Sequence, residues 1–165
     1  MEKKLNPGNL ETVGRKLAKD LEKSIPLVYS SEKWEVLAKI WKIKFNENSK
    51  LPAFFNILPE MNHNEMVGIG EVKAKKIKNI LKVVILKDKY DNIRILKRMK
   101  VMAEIFRKKG ILVFFQEIKG KTFLEKFFST MLIGDWASYY LAKNQGIDPT
   151  PVNLVEEFKQ KIEKK

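Results

Sequence analysis

The chain has 165 residues, of which 44% are hydrophobic and 32% are charged, and it contains no cysteine. This length allows one domain with a sizeable core, and the composition excludes a disordered protein. The lack of cysteine excludes a disulfide framework and a thiolate metal site. The opening MEKKLNPGNL holds no apolar segment of a signal peptide, and the longest apolar run, FFSTMLIGDWASYYLA, is too short to span a bilayer. We therefore expect a soluble, cytoplasmic protein without a membrane partner.

The formal net charge is +13, from 33 Lys and Arg residues against 20 Asp and Glu residues. Such a charge suits a polyanion such as nucleic acid, or it steers a small anionic substrate toward the protein. A lysine-rich composition of this kind is also typical of thermophiles. The densest basic run, EVKAKKIKNILK at 71–82, has no aromatic side chains on which bases would stack. The sequence therefore argues against nucleic acid as the partner.

Short apolar strands alternate with helices along the chain. In order, the predicted elements are a helical lead-in at 1–23, a strand at 24–29, a helix at 32–45, a strand at 82–86, a helix at 92–110, a strand at 111–116, a long helix at 122–146 and a final helix from 151. In the final helix, Thr150 is the predicted N-cap and Pro151 the first helical residue. The alternation indicates an α/β fold in which helices cover both faces of a parallel sheet.

The long helix is apolar nearly all round. It opens with a capping box of Thr122 and Glu125 and closes at Gly146. Its apolar residues are Phe123, Leu124, Phe127, Phe128, Met131, Leu132, Trp136, Tyr139, Tyr140 and Leu141. Such a helix is central to a core, or another subunit covers part of it. The pattern alone does not choose between the two.

Glu47 ends an apolar stripe on the predicted helix at 32–45. Val36, Ile40, Ile43 and Glu47 have the spacing of one helix face, provided that the helix continues to residue 47. Partial burial there would raise the pKa of the carboxyl toward the range useful to a general base. The alternative is a glutamate at the helix end that simply faces solvent.

His63 is the only histidine, and it lies between two asparagines with Glu60 and Glu65 close by. A single histidine is more often a surface or core residue than a catalyst, and its surroundings leave both readings open. The sequence contains no cluster of cysteine or histidine that would bind a metal. The segment GIGEVK lacks the third glycine of a dinucleotide-binding fingerprint. We therefore expect neither a metal nor a cofactor.

Two long segments carry a resemblance to a known family. They read IWKIKFNENSKLPAFFNILPEMNHNEMVG and GDWASYYLAKNQGIDPTPVNLVEEFK. In these segments the chain resembles the bacterial and archaeal bifunctional phosphoglucose/phosphomannose isomerases, over about residues 20–160. The resemblance implies a sugar isomerase (SIS) fold, a doubly wound three-layer α/β/α sandwich with a mostly parallel sheet, formed by residues 24–165. It also implies a proline-bearing helix between NENSK and the histidine motif.

The resemblance implies a role for each candidate residue. Glu47 would be the base that moves a proton between C1 and C2 of an open-chain hexose 6-phosphate, through a cis-enediol. His63 would assist ring opening from across a homodimer interface, and Lys159 would lie beside the ring oxygen. Asn48 and Thr150 would bind the substrate. The implied reaction converts glucose or mannose 6-phosphate to fructose 6-phosphate without a metal or cofactor.

The chain departs from the family pattern in two ways. Ile40 and Ile43–Lys44 stand where polar residues are common. Full family members are also about twice as long and carry an N-terminal SIS half with a Ser/Thr-rich phosphate loop, which only YSSEK at 29–33 approaches here. We therefore expect a C-terminal half that works with an N-terminal SIS half, encoded separately or removed. The alternatives are a non-catalytic SIS module that binds a sugar phosphate and regulates a partner, and a basic nucleic-acid-binding protein.

Overall fold

A computed structural model describes residues 7–163, so the first six residues of the predicted lead-in lie outside the described part. The helices and strands are α1 (Pro7–Asp20), β1 (Ile25–Ser31), α2 (Glu35–Ser49), β2 (Phe54–Leu58), α3 (Glu65–Gly70), α4 (Lys75–Ile80), β3 (Leu81–Lys87), α5 (Ile93–Lys108), β4 (Leu112–Glu117), α6 (Phe123–Asn144) and α7 (Asn153–Glu163). Short 3-10 turns at Glu32–Trp34 and Glu60–Asn62 precede α2 and α3. Within this part of the chain, no helix is long and apolar enough to cross a membrane.

The four strands form one parallel sheet in the order β2-β1-β3-β4. The three predicted strands correspond to β1, β3 and β4, and the predicted α/β fold is confirmed. The implied proline-bearing helix is wrong, because Phe54–Leu58 forms β2 at the edge of the sheet. Its aromatic and β-branched residues suit a strand, but only Leu58 of the five is fully buried, so the segment lacks the apolar run of a central strand.

Successive residues of the strands face opposite helical layers. Val28 and Val84 pack with α1, α2 and α6, whereas Tyr29 and Ile85 pack with α5. Helix α1 belongs to the first of these cores, in which its Ala18 is fully buried. The described part of the predicted lead-in therefore shares its core with the rest of the sandwich, and a domain boundary at residue 23 stays a prediction.

Helix α6 packs inward through small and polar residues. Trp41 of α2 is fully buried, and its Nε1 donates a hydrogen bond to the carbonyl oxygen of Thr130 at 3.0 Å. A Cβ at Gly134 would lie 2.5 Å from that nitrogen. A Cβ at Gly14 of α1 would lie equally close, 2.5 Å, to the Cβ of Trp136. The two glycines therefore allow α1 and α2 to approach α6 closely.

Several large apolar residues of α6 face outward instead. Its predicted capping box is present, with Thr122 Oγ1 accepting from the backbone N–H of Glu125 at 3.1 Å. Four of its large residues are more than a third exposed: Phe123 at 56%, Leu124 at 54%, Phe128 at 40% and Tyr139 at 38%. Val36 on the neighbouring α2 is 60% exposed. The single chain therefore leaves this aromatic surface uncovered.

The final helix begins later than predicted. Thr150 is not its N-cap, because α7 begins at Asn153 and Thr150 lies before it in a turn, where its backbone N–H donates to Asp148 Oδ1 at 2.9 Å. The first helical hydrogen bonds instead run to the carbonyl oxygen of Val152, from Val155 at 2.8 Å and Glu156 at 3.2 Å. Helix α7 has no buried residue, and its apolar side chains Leu154, Val155, Phe158 and Ile162 are exposed.

We predict that Gly134→Ala destabilises the chain by about 1–3 kcal/mol, because an added methyl overpacks the buried Trp41 ring. Gly68→Ala is the matched control, since nothing lies within 4 Å of a Cβ at this helical glycine. The control should be neutral or stabilising by up to about 1 kcal/mol, the usual preference for alanine in a helix. Urea unfolding of both variants measures the difference. Equal stabilities would contradict this account of the α2–α6 contact.

Candidate active site

The last turn of α2 is anchored to α6 by two hydrogen bonds to one residue, Ser138. Asn48 Nδ2 donates to Ser138 Oγ at 2.9 Å, and Ser49 Oγ donates to the carbonyl oxygen of Ser138 at 2.9 Å. Both Ser49 and Ser138 are buried. These bonds fix the backbone directly after Glu47. The amide of Asn48 is engaged with α6 here, and its predicted contact with substrate stays a prediction.

The turn that follows Glu47 is also held. Asn46 Oδ1 accepts from the backbone N–H of Ala53 at 2.8 Å. Lys50 ends α2 in the left-handed conformation, with φ of 54°. Its ammonium contacts the carbonyl oxygen of Glu47 and lies 3.3 Å from that of Pro149. Lys50 thus connects the end of α2 to the segment that precedes α7.

A cleft of about 780 Å³ opens between these two segments. The end of α2 contributes Asn46, Glu47 and Lys50 to its wall, and the other wall comes from Ile147, Asp148 and residues 151–155. Its volume lies within the range of sites for small molecules. Hydrogen bonds from the backbone and hydroxyl of Thr150 hold the pKa of Asp148 below its usual value. The two segments that carried the family resemblance therefore meet around one cleft.

Glu47 lies at this cleft, but the burial expected for it is wrong. Its carboxylate is exposed, and Val36 at the start of the same stripe is 60% exposed. The buried face of α2 consists of Leu37, Trp41 and Phe45. The larger aromatic residues determine which side of the helix packs inward, and this turns the stripe outward. The carboxylate forms no hydrogen bond with any other side chain in residues 7–163.

His63 lies in the turn after β2. Its backbone N–H donates to the carbonyl oxygen of Glu60 at 3.0 Å, and its side chain is exposed. The nearby Glu65 is structural, since its carboxylate accepts from the Tyr29 hydroxyl at 2.8 Å and from Asn56 Nδ2 at 2.7 Å. Burial, followed by the charge of Glu65, raises the pKa of Tyr29 above its usual range. His63 therefore projects from a fixed turn.

The fold places Glu47 and His63 at opposite ends of the parallel strands. Helix α2 leaves the carboxyl end of β1 and returns to the amino end of β2, so Glu47 lies near the amino ends of the strands. His63 follows Leu58, near their carboxyl ends. The five residues of β2 separate the two positions. At about 3.3 Å per residue, this strand spans roughly 16 Å. One chain therefore does not bring the two side chains together.

Lys159 also lies away from Glu47 in the single chain. It is on the exposed helix α7, where its ammonium pairs with Glu156 Oε1 at 2.7 Å, and it does not line the cleft. Thr150 is exposed and bonded to Asp148. Sequence reasoning missed Asp148 as a cleft residue, although an aspartate before Thr-Pro is a common turn signal. Within residues 7–163, no group of three His, Cys, Asp or Glu side chains is placed to hold a metal.

Sequence comparison finds relatives over nearly the whole chain. It is 32% identical over 161 residues to a bifunctional phosphoglucose/phosphomannose isomerase of Aquifex aeolicus, covering 98% of this chain and 49% of the relative. The isomerase of that name from Caldicellulosiruptor bescii is 35% identical over 155 residues, covering 92% of this chain and 44% of the relative. The chain thus spans about half the length of these relatives.

The fold is also found among solved structures. A glucose-6-phosphate isomerase like protein from Thermus thermophilus superposes with a TM-score of 0.68 at 20% identity, over 89% of this chain and 46% of that protein. This likeness supports the SIS sandwich predicted from the sequence. The family model described as the bacterial phospho-glucose isomerase C-terminal SIS domain matches residues 11–162. The chain therefore belongs to the family of bacterial phospho-glucose isomerase C-terminal SIS domains.

Proposed function

We propose that this chain is the catalytic C-terminal half of an aldose–ketose isomerase that converts glucose or mannose 6-phosphate to fructose 6-phosphate in the cytoplasm. One observation carries the proposal: an anchored, exposed carboxylate, Glu47, lies at a cleft formed by the two segments that resemble this family. Both relatives named above are bifunctional phosphoglucose/phosphomannose isomerases. A cleft of this size accommodates a hexose phosphate.

The proposed chemistry needs only a base and proton donors. Glu47 takes the proton from C2 of the open-chain aldose while the C1 carbonyl oxygen gains a proton, which gives the cis-enediol. Glu47 then returns its proton to C1 as the hydroxyl proton on O2 leaves, which gives the ketose. The hydrogen bonds of Asn48 and Ser49 to α6 fix the backbone that carries Glu47, which reduces the conformational freedom lost on reaching the transition state.

Ring opening requires a second chain in this proposal. His63 and Glu47 lie at opposite ends of the strands of one sheet, so the imidazole that serves a given cleft comes from another copy of the chain. The uncovered aromatic surface of α6 supplies apolar area for such a homodimer. The exposed apolar side of α7 would be covered in the same assembly, and this would fix Lys159 beside the ring oxygen. Thr150, at the start of this segment, would contact the substrate.

We also propose an N-terminal SIS half as a partner. The chain spans about half of its relatives, and the hydroxyl groups of YSSEK are unavailable for a phosphate. Ser30 Oγ donates to the carbonyl oxygen of Ser31 at 2.9 Å, and Ser31 Oγ donates to Asp91 Oδ1 at 2.7 Å. Binding the remote phosphate would position the reacting carbons. The chain alone should therefore turn over substrate poorly, and the N-terminal half should restore activity.

We predict that the chain self-associates through the aromatic surface of α6. Light scattering at high micromolar concentration should give a dimer, and Phe128→Glu should shift it toward the monomer, because a charge in an apolar interface loses hydration. Ile93→Glu is the matched control, since Ile93 is an exposed apolar residue at the start of α5, 77% accessible. A stable, compact monomer of the unsubstituted chain would contradict the prediction.

We predict that Glu47→Gln, assayed with the N-terminal half present, lowers isomerase activity by about 10²–10⁴-fold, the usual contribution of a general base. Substrate affinity should change little, and exchange of the C2 proton with solvent should fall in parallel. His63→Ala should instead slow turnover of the cyclic sugar more than C2 exchange of the open chain. Glu104→Gln, an exposed glutamate of α5, is the control.

If Glu47→Gln retains more than about a tenth of the activity, the loss is far smaller than that expected for a general base. Another residue would then be the base. Equal losses in both assays for His63→Ala would remove its ring-specific role.

A further inference from the structure

The usual ligand position of a doubly wound sheet is closed in this chain. Ligands commonly bind outside the carboxyl ends of the strands where the strand order reverses, which is here between β1 and β3. Ser31 Oγ donates to Asp91 Oδ1 across this point at 2.7 Å. Lys33 Nζ lies 3.2 Å from Asp88 Oδ2, and Asp88 is fully buried. The chain's own side chains therefore fill the position.

Asp88 is shared between two lysines. Lys126 Nζ lies 2.7 Å from each of its carboxylate oxygens, and Lys33 approaches one of them. Burial raises the pKa of Asp88, but the hydrogen bonds from Lys126, the backbone of Tyr90 and Lys33 outweigh it and hold the pKa below its usual value. The ionised carboxylate of Asp88 thus holds Lys126 and Lys33 in place, beside the second carboxylate of Asp91.

An open cavity of about 240 Å³ lies next to the position between β1 and β3, outside the carboxyl ends of β3 and β4. We call it the lysine pocket, after the residues Lys87, Lys89, Lys119 and Lys126 that line it together with Glu117 and Gly120. Lys126 is 7% exposed. Glu117 lies 3.8 Å from Lys119, and neither Lys87 nor Lys89 pairs with a carboxylate in the described part of the chain. The lysines therefore outnumber the carboxylates that face them.

Further lysines surround the start of α6. Lys119, Lys121 and Lys126 flank the first turn of this 22-residue helix, where the carboxylate of Glu125 in the capping box already offsets part of the positive charge. A Cβ at Gly120 would lie 2.7 Å from the backbone nitrogen of Lys126, so only glycine lets the loop lie this close to the helix start. A bound anion would pair with the ammonium groups of Lys87 and Lys89, which pair with no carboxylate in residues 7–163.

We propose that the lysine pocket binds a phosphate group or a dianion of similar size, at a site separate from the cleft beside Glu47. The cavity is too small for a polymer, and ammonium groups are strong donors to phosphate oxygens. Lys126 is paired with Asp88 and forms a fixed wall of the pocket, while the exposed Lys89 and Lys119 are the lysines that can turn toward a bound anion. The phosphate group belongs to free inorganic phosphate or to a phosphate ester of a sugar.

Calorimetric titration with inorganic phosphate in a low-salt buffer tests the proposal without reference to catalysis. The unsubstituted chain should bind phosphate saturably. Lys89→Gln/Lys119→Gln should weaken binding at least about tenfold, equivalent to about 1.4 kcal/mol. Both lysines are exposed, so the variant should fold normally. Lys100→Gln/Lys108→Gln removes the same charge from exposed positions of α5 and should leave the affinity within about twofold, well under that step.

Fructose 6-phosphate forms the second arm of the experiment. Displacement of bound phosphate by this sugar phosphate supports an ester as the ligand, whereas phosphate that it does not displace supports the free anion. The proposal is overturned by a lack of saturable binding at millimolar phosphate, or by undiminished binding to Lys89→Gln/Lys119→Gln. Equal weakening in the two double variants also overturns it, because diffuse charge would then explain the binding.

Discussion

The contact between Trp41 and Gly134 determines where the candidate site lies. The buried indole of α2 occupies the space that a side chain would take on α6, and its N–H is satisfied by the carbonyl oxygen of Thr130. This contact sets both the distance and the rotation of α2. The rotation points Glu47 toward the cleft, and the hydrogen bonds of the next turn to Ser138 fix it there. A loss of close packing at Gly134 would therefore move the carboxylate.

Parallel strands impose the second constraint. Each helix that connects two strands runs back from the carboxyl ends of the strands to their amino ends. The end of α2 and the turn after β2 therefore lie at opposite ends of the sheet. A chemistry that needs Glu47 and His63 at one sugar then requires two chains. The uncovered aromatic surface of α6 and the unburied α7 agree with this requirement, since both leave apolar side chains in water. Topology thus supports the proposed assembly independently of the resemblance.

The sequence predicted the elements with strong local signals. The apolar runs of β1 and β3 are buried strands, the run at 111–116 contains the edge strand β4, and Thr122 with Glu125 forms the capping box of α6. Strand β2 was missed because Asn56 interrupts its apolar run and the family resemblance implied a helix there. Thr150 was assigned as an N-cap because the sequence does not show that Thr150 lies in a turn with Asp148 before α7 begins at Asn153.

The site was harder to predict, since helical periodicity does not say which side of a helix is buried. Two apolar stripes compete on α2, and the one that includes Trp41 and Phe45 packs inward. In α6, the buried face is made largely of small and polar residues together with Ile133 and Leu141, whereas Phe123, Phe128 and Tyr139 are exposed, which hydrophobicity alone does not predict. The separation of Glu47 from His63 depends on β2, which the sequence did not reveal.

Cross-linking between chains tests the composite site most directly. The chain has no cysteine, so Glu47→Cys and His63→Cys chains each carry a single thiol. The two chains are mixed and treated with a bis-maleimide whose reach is about the length of a hexose. The account predicts that links between positions 47 and 63 of different chains dominate over 47–47 and 63–63 links. Mixed chains that give no excess of 47–63 links would contradict it.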